Sequence, residues 1–289
     1  MNLSNIIDEI EKIDPEVYER LDGRRAAMKK FMSFSGKVAM STVPIALGTM
    51  LNKSYGQSVS QQILDVLNFA LTLEYLESEF YVTGLQSGII AGEDVPAFQT
   101  ISAHEMEHVE FLRSTIISLG GTPVPKPQFD YSAGNTASAG NNSMTGPFKD
   151  VFINYDLYLA VSQTFEDTGV RAYKGQAANL ISSNEILTAA LRIHSVEARH
   201  ASHVREIRSR KPSGFVVGVP DPWITLNMSN IASDLVQPSY DGEQLTVQAG
   251  VNIVGINGFN ITPEDASEAF DEPLSRAQIL AIVDPFIVG

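Results

Sequence analysis

From about residue 58 to residue 212, apolar side chains return every three or four positions, the spacing of one face of an α-helix. Four such stretches predict four helices. The first runs from about Ser58 to Gln86 with Ile63, Leu64, Leu67, Leu71 and Phe80 on its stripe, a serine at Ser58 or Ser60 as its cap, and an end near Gly84–Gly88. The second, about Val95 to Leu119, carries Phe98, Ile101, Val109 and Leu112 and stops at Gly120-Gly121. The third starts near Pro147 and runs to about Leu180; the fourth runs from about Ser183 to Arg210 and ends at Lys211-Pro212. Thr122 to Gly146, rich in Pro, Gly, Ser and Asn, reads as a long irregular crossover between two helix pairs.

The flanks break this pattern. Residues 213–289 have short apolar runs between Pro, Gly and Asn, predicting loops and a short hairpin. Two short helices should close the chain, one starting at Thr262-Pro263-Glu264 and one at the capping box Ser275-Arg-Ala-Gln278. Residues 1–57 form a leader: a helical pattern through Ile6, Ile7, Ile10 and Ile13, broken by Pro15, then Arg24-Arg25 before a moderately apolar run. The paired arginine resembles a twin-arginine export signal, which makes a periplasmic or envelope location the expectation. The competing reading is a basic, amphipathic helix packed on the bundle, or a disordered segment, in a cytoplasmic protein. Gly36, Lys37, Pro44 and Gly48 interrupt Phe31–Leu51 too often for a membrane span, and no other stretch is long enough. The expected division is therefore leader 1–57, bundle 58–212 and irregular extension 213–289.

Twenty basic against thirty-four acidic side chains give a net charge of −14. Such a surface repels nucleic acid and anionic lipid and attracts divalent cations. The absence of cysteine excludes disulfides, iron–sulfur clusters and a thiol nucleophile. All five histidines, His104, His108, His194, His200 and His203, fall on the second and fourth helices.

That placement directs attention to Glu105-Met-Glu-His108 and Glu197-Ala-Arg-His200. Glu and His three residues apart lie one turn apart on the same helix face, so both can address one metal ion. The helix before each contributes a glutamate in its apolar stripe, Glu74 and Glu166, followed seven residues later by Tyr81 and Tyr173. The order Glu…Tyr, Glu-x-x-His thus occurs twice, an internal duplication. Each of the four glutamates has apolar residues one or two turns away: Leu67 and Leu71, Ile101 and Leu112, Leu159 and Val170, Ile193 and Val204. A carboxylate among such neighbours is costly unless paired or bound to metal, and four together would repel one another. Two divalent cations would neutralise them. Glu77, Glu79, Glu107 and Glu110 fall off the stripe or at its edge and are expected to be solvated. His104, His194 and His203 are expected beside the ligands or at the surface. His104-Glu105-Met-Glu-His108 also has the His-Glu-x-x-His form of zinc proteases, but Val196 replaces the first histidine in the second repeat.

The ligand order resembles the ferritin-like di-iron carboxylate bundle. Within that superfamily, Leu71-Thr-Leu-Glu-Tyr-Leu-Glu77, Leu119-Gly-Gly-Thr-Pro123, His194-Ser-Val-Glu-Ala-Arg-His200 and Ala269-Phe-Asp-Glu-Pro-Leu274 are similar to bacterial ferritin-like domain proteins related to desiccation-related proteins. The resemblance implies a mostly α protein, a four-helix bundle with one long crossover. It implies two metal ions, iron first and manganese second, with Glu105 and Glu197 bridging, Glu74 and Glu166 terminal, and His108 and His200 each on one ion. Tyr81 and Tyr173 become candidate catalytic residues one layer out, able to hydrogen-bond a ligand or form a radical; bundle packing is their plainer role. The implied partners are dioxygen or peroxide and an unidentified electron donor, in stress protection, with a homo-oligomer possible. The alternatives are a di-manganese catalase and a non-enzymatic stress or envelope protein that retains the bundle.

Overall fold

In the computed structural model, residues 60–137, 140–211, 216–218 and 220–289 are described. The leader and its paired arginines lie outside them. The first helix, α1, spans Gln61–Ser87 after an extended Ser60 and ends at Gly88, whose φ of 70° is the left-handed turn that glycine adopts without strain. Helix α2 spans Val95–Ser118, with Pro96 in its first turn, where the missing N–H costs nothing. Helix α3 spans Tyr155–Ala177 and runs into a 3-10 turn at Ala178–Leu180. Helix α4 spans Asn184–Arg210, with the Ser183 side chain accepting the Ile186 N–H. These helices pack as two pairs, α1 with α2 and α3 with α4.

The third helix begins later than the pattern suggests. Residues 148–153 make turns instead, burying Phe148 and Val151, and Phe148 N–H donates to the Ser132 carbonyl of the crossover. The extended Asn154 then caps the helix by accepting the Leu157 N–H at 3.2 Å. Helix α3 is also buried along almost its whole circumference, every residue from Leu157 to Tyr173 being buried. An amphipathic helix in a bare bundle would not be. Its outer face is covered by the chain after residue 216.

That covering segment contains a 3-10 turn at Asp234–Ser239, a two-residue antiparallel hairpin (β1, Val247–Gln248; β2, Val251–Asn252) and two short helices. Helices α5 (Pro263–Glu268) and α6 (Arg276–Val283) both start in capping boxes, Thr262 with Asp265 and Ser275 with Gln278, as their sequences require. Buried Arg171 on α3 gathers the segment: it donates to the carbonyls of Ser239, Asp241 and Glu272 and pairs with Glu243 at 2.6 Å. Phe286, near the C-terminus, stacks on Phe148 and packs edge-on against Phe165 of α3. Among the described residues, no helix is long and apolar enough to cross a membrane.

Candidate metal centre

The interior of the bundle is apolar toward both ends, with Phe80, Phe98, Tyr158 and Phe165 interlocked in one layer. Its middle is not. Glu74 from α1, Glu105 from α2, Glu166 from α3 and Glu197 from α4 are all inaccessible to solvent, and His108 and His200 close the same space. Each of these helices is held by its apolar stripe, so a polar residue in register with the stripe has nowhere else to point.

The six side chains form two overlapping groups, Glu74, Glu105, His108 and Glu197 in one, Glu105, Glu166, Glu197 and His200 in the other. Within each group the candidate ligand atoms lie within 4.8 Å of one another. Glu105 and Glu197 belong to both. The Nδ1 of His108 stands 3.2 Å from Glu74 Oε2, 3.2 Å from Glu105 Oε2 and 3.1 Å from Glu197 Oε1. The Nδ1 of His200 stands 2.9 Å from Glu105 Oε1 and 3.2 Å from Glu166 Oε2. Each nitrogen therefore faces several carboxylate oxygens and holds at most one proton for them. Glu105 Oε1 and both oxygens of Glu197 are buried without a well-aligned hydrogen-bond donor, the imidazole nitrogens being near them but shared among several oxygens.

Electrostatics follow from this crowding. Burial pushes the Glu105 carboxyl up to about 7 and Glu197 to about 8, with the facing carboxylates adding to the effect. Burial works against charge on the imidazoles, but the Glu74 carboxylate raises His108 far above its usual range and Glu166 brings His200 to about 11. Protons are thus the only cations available to the cluster from the chain itself, and they satisfy it incompletely. Metal fits better. Neighbouring ligands of an ion at about 2.1 Å stand about 3 Å apart, which matches the observed nitrogen-to-oxygen separations.

Two tyrosines complete the centre in a crossed arrangement. Tyr81 of α1 donates its hydroxyl to Glu166 Oε1 on α3, and Tyr173 of α3 donates to Glu74 Oε1 on α1. Burial and the accepting carboxylates hold both phenols well above their usual range, so both remain hydroxyl donors.

His104 lies beside the centre rather than in it: its Nδ1 is 2.9 Å from the Nε2 of His200. His104 and His108 therefore do not converge on one ion, the geometry a zinc protease would need. His194 meets the Val170 carbonyl, and His203 pairs with Glu206 in a half-exposed position. Glu107 and Glu110 are exposed, and Glu79 pairs with Lys126. Glu77 departs from expectation. It is buried in the bundle, 4% exposed, and burial together with the surrounding glutamates drives its carboxyl well above the usual range. The spacing Glu74-x-x-Glu77, the same three residues as Glu-x-x-His, is the signal that could have placed it on the inner face.

A four-helix bundle enclosing a buried carboxylate–imidazole cluster compatible with a di-metal site defines the class. Residues 62–210 match the family model described as Ferritin-like domain, and the chain belongs to that family. No curated protein matched the chain.

Proposed function

We propose that the centre binds two metal ions, iron before manganese, and that the reduced pair reacts with dioxygen or hydrogen peroxide. One observation carries this reading: three buried carboxylate oxygens, on Glu105 and Glu197, have no well-aligned hydrogen-bond donor, and both residues belong to both ligand groups. Glu74 and His108 would hold one ion, Glu166 and His200 the other, and Glu105 and Glu197 would be shared. All-oxygen and imidazole ligation with no thiolate suits these metals. When bound, such a pair supplies electrons to an oxygen substrate.

The protein's own part is to position and to exclude. The hydroxyls of Tyr81 and Tyr173 fix the orientation of Glu166 and Glu74, each from the opposite helix pair. If His200 ligates through Nδ1, its Nε2–H donates to His104 Nδ1, which sets the ring's tautomer. The apolar layers on either side keep bulk water from the cluster. The net negative charge favours cation delivery, and Arg24 and Arg25 support work outside the cytoplasm, in stress protection.

The test is anaerobic loading with ferrous iron followed by dioxygen or peroxide. Oxidant consumption should scale with the iron bound and be lost in Glu105→Ala. Consumption that is unchanged in Glu105→Ala, or absent from the iron-loaded protein, would refute the redox reading. Oxygen evolution from peroxide by the manganese-loaded protein alone would replace it with a catalase.

A further inference from the structure

Among the described residues of the four helices, Glu77 is a buried acidic side chain that the six-residue set leaves over and, unlike Asp167 with its Arg205, one that no cationic side chain is seen to pair. It follows Glu74 by one turn of α1 and is 4% exposed. The groups that act on it most strongly are the carboxylates of Glu197, Glu105, Glu166 and Glu74. Among the described residues no hydrogen bond or ion pair reaches it. A carboxylate buried in this way destabilises a fold unless something else satisfies it.

The duplication shows where it is aimed. Glu77 stands three residues after Glu74; the equivalent position, three after Glu166, is Gly169. A side chain on Gly169 would have its Cβ 3.3 Å from Glu77 Oε1 and 3.6 Å from Glu197 Oε2. Glycine inside a helix costs about 1 kcal/mol relative to alanine, and here the missing Cβ lets the Glu77 and Glu197 carboxylates both close in on the α3 backbone. The otherwise two-fold arrangement is broken at this point: one half contributes a carboxylate, the other the space for it. The space is on a definite side, because Glu197 Oε2 is the oxygen turned toward His200 Nδ1, at 3.8 Å.

We propose that Glu77 is a seventh ligand of the centre, a reserve carboxylate that rotates onto the ion held by Glu105, Glu166, Glu197 and His200. This rests on the di-metal reading above. Glu77 stands outside both four-residue groups, so it engages by turning its side chain. Charge gives it a purpose. The four glutamates balance two divalent ions, and a fifth leaves one excess negative charge, which favours a more highly charged ion on the His200 side. The two ions are therefore unequal, and the ion on the His200 side is the one that depends on Glu77.

The experiment is a titration of the metal-free full chain with manganese(II), followed by calorimetry and by the electron-spin signal of free manganese, for the wild type and Glu77→Gln. The wild type should take two ions. Glu77→Gln should take the first with unchanged affinity and the second about tenfold or more weakly, while its metal-free melting temperature stays equal or rises. Glu79→Gln, which removes a charge from the same helix outside the centre, should titrate as the wild type. Two ions bound by Glu77→Gln with wild-type affinities would overturn the inference and leave the di-metal reading intact. Loss of both ions together with a lowered metal-free melting temperature would also overturn it, since Glu77 would then be a structural residue. A wild type that binds no ion would overturn both.

Discussion

The carboxylates of this protein show how the same side chain is tuned by its donors. In the bundle, Glu105 and Glu197 are buried with oxygens that lack a well-aligned donor, and burial pushes them up to about 7 and about 8. In the crossover, Asp130 is equally buried, and desolvation again works against its charge. There, however, the Ser143 hydroxyl and N–H, the Ser132 hydroxyl and N–H and the Thr136 N–H all donate to it and hold it at about 2. A depressed folded pKa contributes stability that is complete above the ordinary value of 3.8 and is lost as pH falls through that value toward 2. The contribution is on the order of 2 kcal/mol. Asp130→Asn should therefore lower the melting temperature at pH 7 and flatten its decline between pH 4 and pH 2; an unchanged acid profile would show that the crossover is not held by this residue. Four of the six ligand candidates, Glu105, His108, Glu197 and His200, were legible in the sequence because three-residue spacing on an apolar stripe fixes direction, and Glu74 and Glu166 because each is a lone carboxylate in such a stripe. Glu77 obeys the same spacing, but a Glu-x-x-Glu pair is common on solvated faces, and nothing local distinguishes the two.

At the scale of elements, helix bounds follow their caps. Ser183 and the capping boxes at Thr262 and Ser275 start helices where the sequence places them, because a cap is a contact between residues two or three apart. The start of α3 was not legible, because Phe148 and Val151 are drawn into the core by partners in the crossover and near the C-terminus, far away in sequence. Nor was the burial of the whole of α3, whose cover arrives from residues more than sixty positions on. Gly175 marks that contact. A Cβ there would sit 2.0 Å from the Leu274 carbonyl oxygen, and backbone on both sides leaves little room to give. Gly175→Ala should destabilise the protein by about 1–3 kcal/mol by forcing residues near Leu274 off the helix. Chemical denaturation would show it. A change within error would mean that the segment is loosely seated.

For the molecule as a whole, the bundle and the chain from residue 216 onward share a core. Arg171, inaccessible and bound to three carbonyls and Glu243, is the link, and the Arg205–Asp167–Tyr240 contacts repeat the theme one turn away. Breaking a buried ion pair by deleting one partner strands the other, at about 3–5 kcal/mol. Arg171→Ala should therefore lower the stability of the bundle and of the C-terminal segment in a single cooperative transition. Two separate transitions would show that the segment is an independent appendage. The same joint body encloses the carboxylate–imidazole cluster, so loss of the segment should also loosen the two groups that the four helices hold together.

The central claim is that this cluster exists to hold two ions. Its most direct test is the metal content of the full-length chain, purified without chelators and again after anaerobic reconstitution with ferrous iron, beside Glu105→Ala with its helical content verified by circular dichroism. Two ions per chain are expected in the wild type and a loss of both in the variant, since Glu105 belongs to both groups. A wild type that holds no metal after reconstitution, or a variant that keeps both ions, would contradict it.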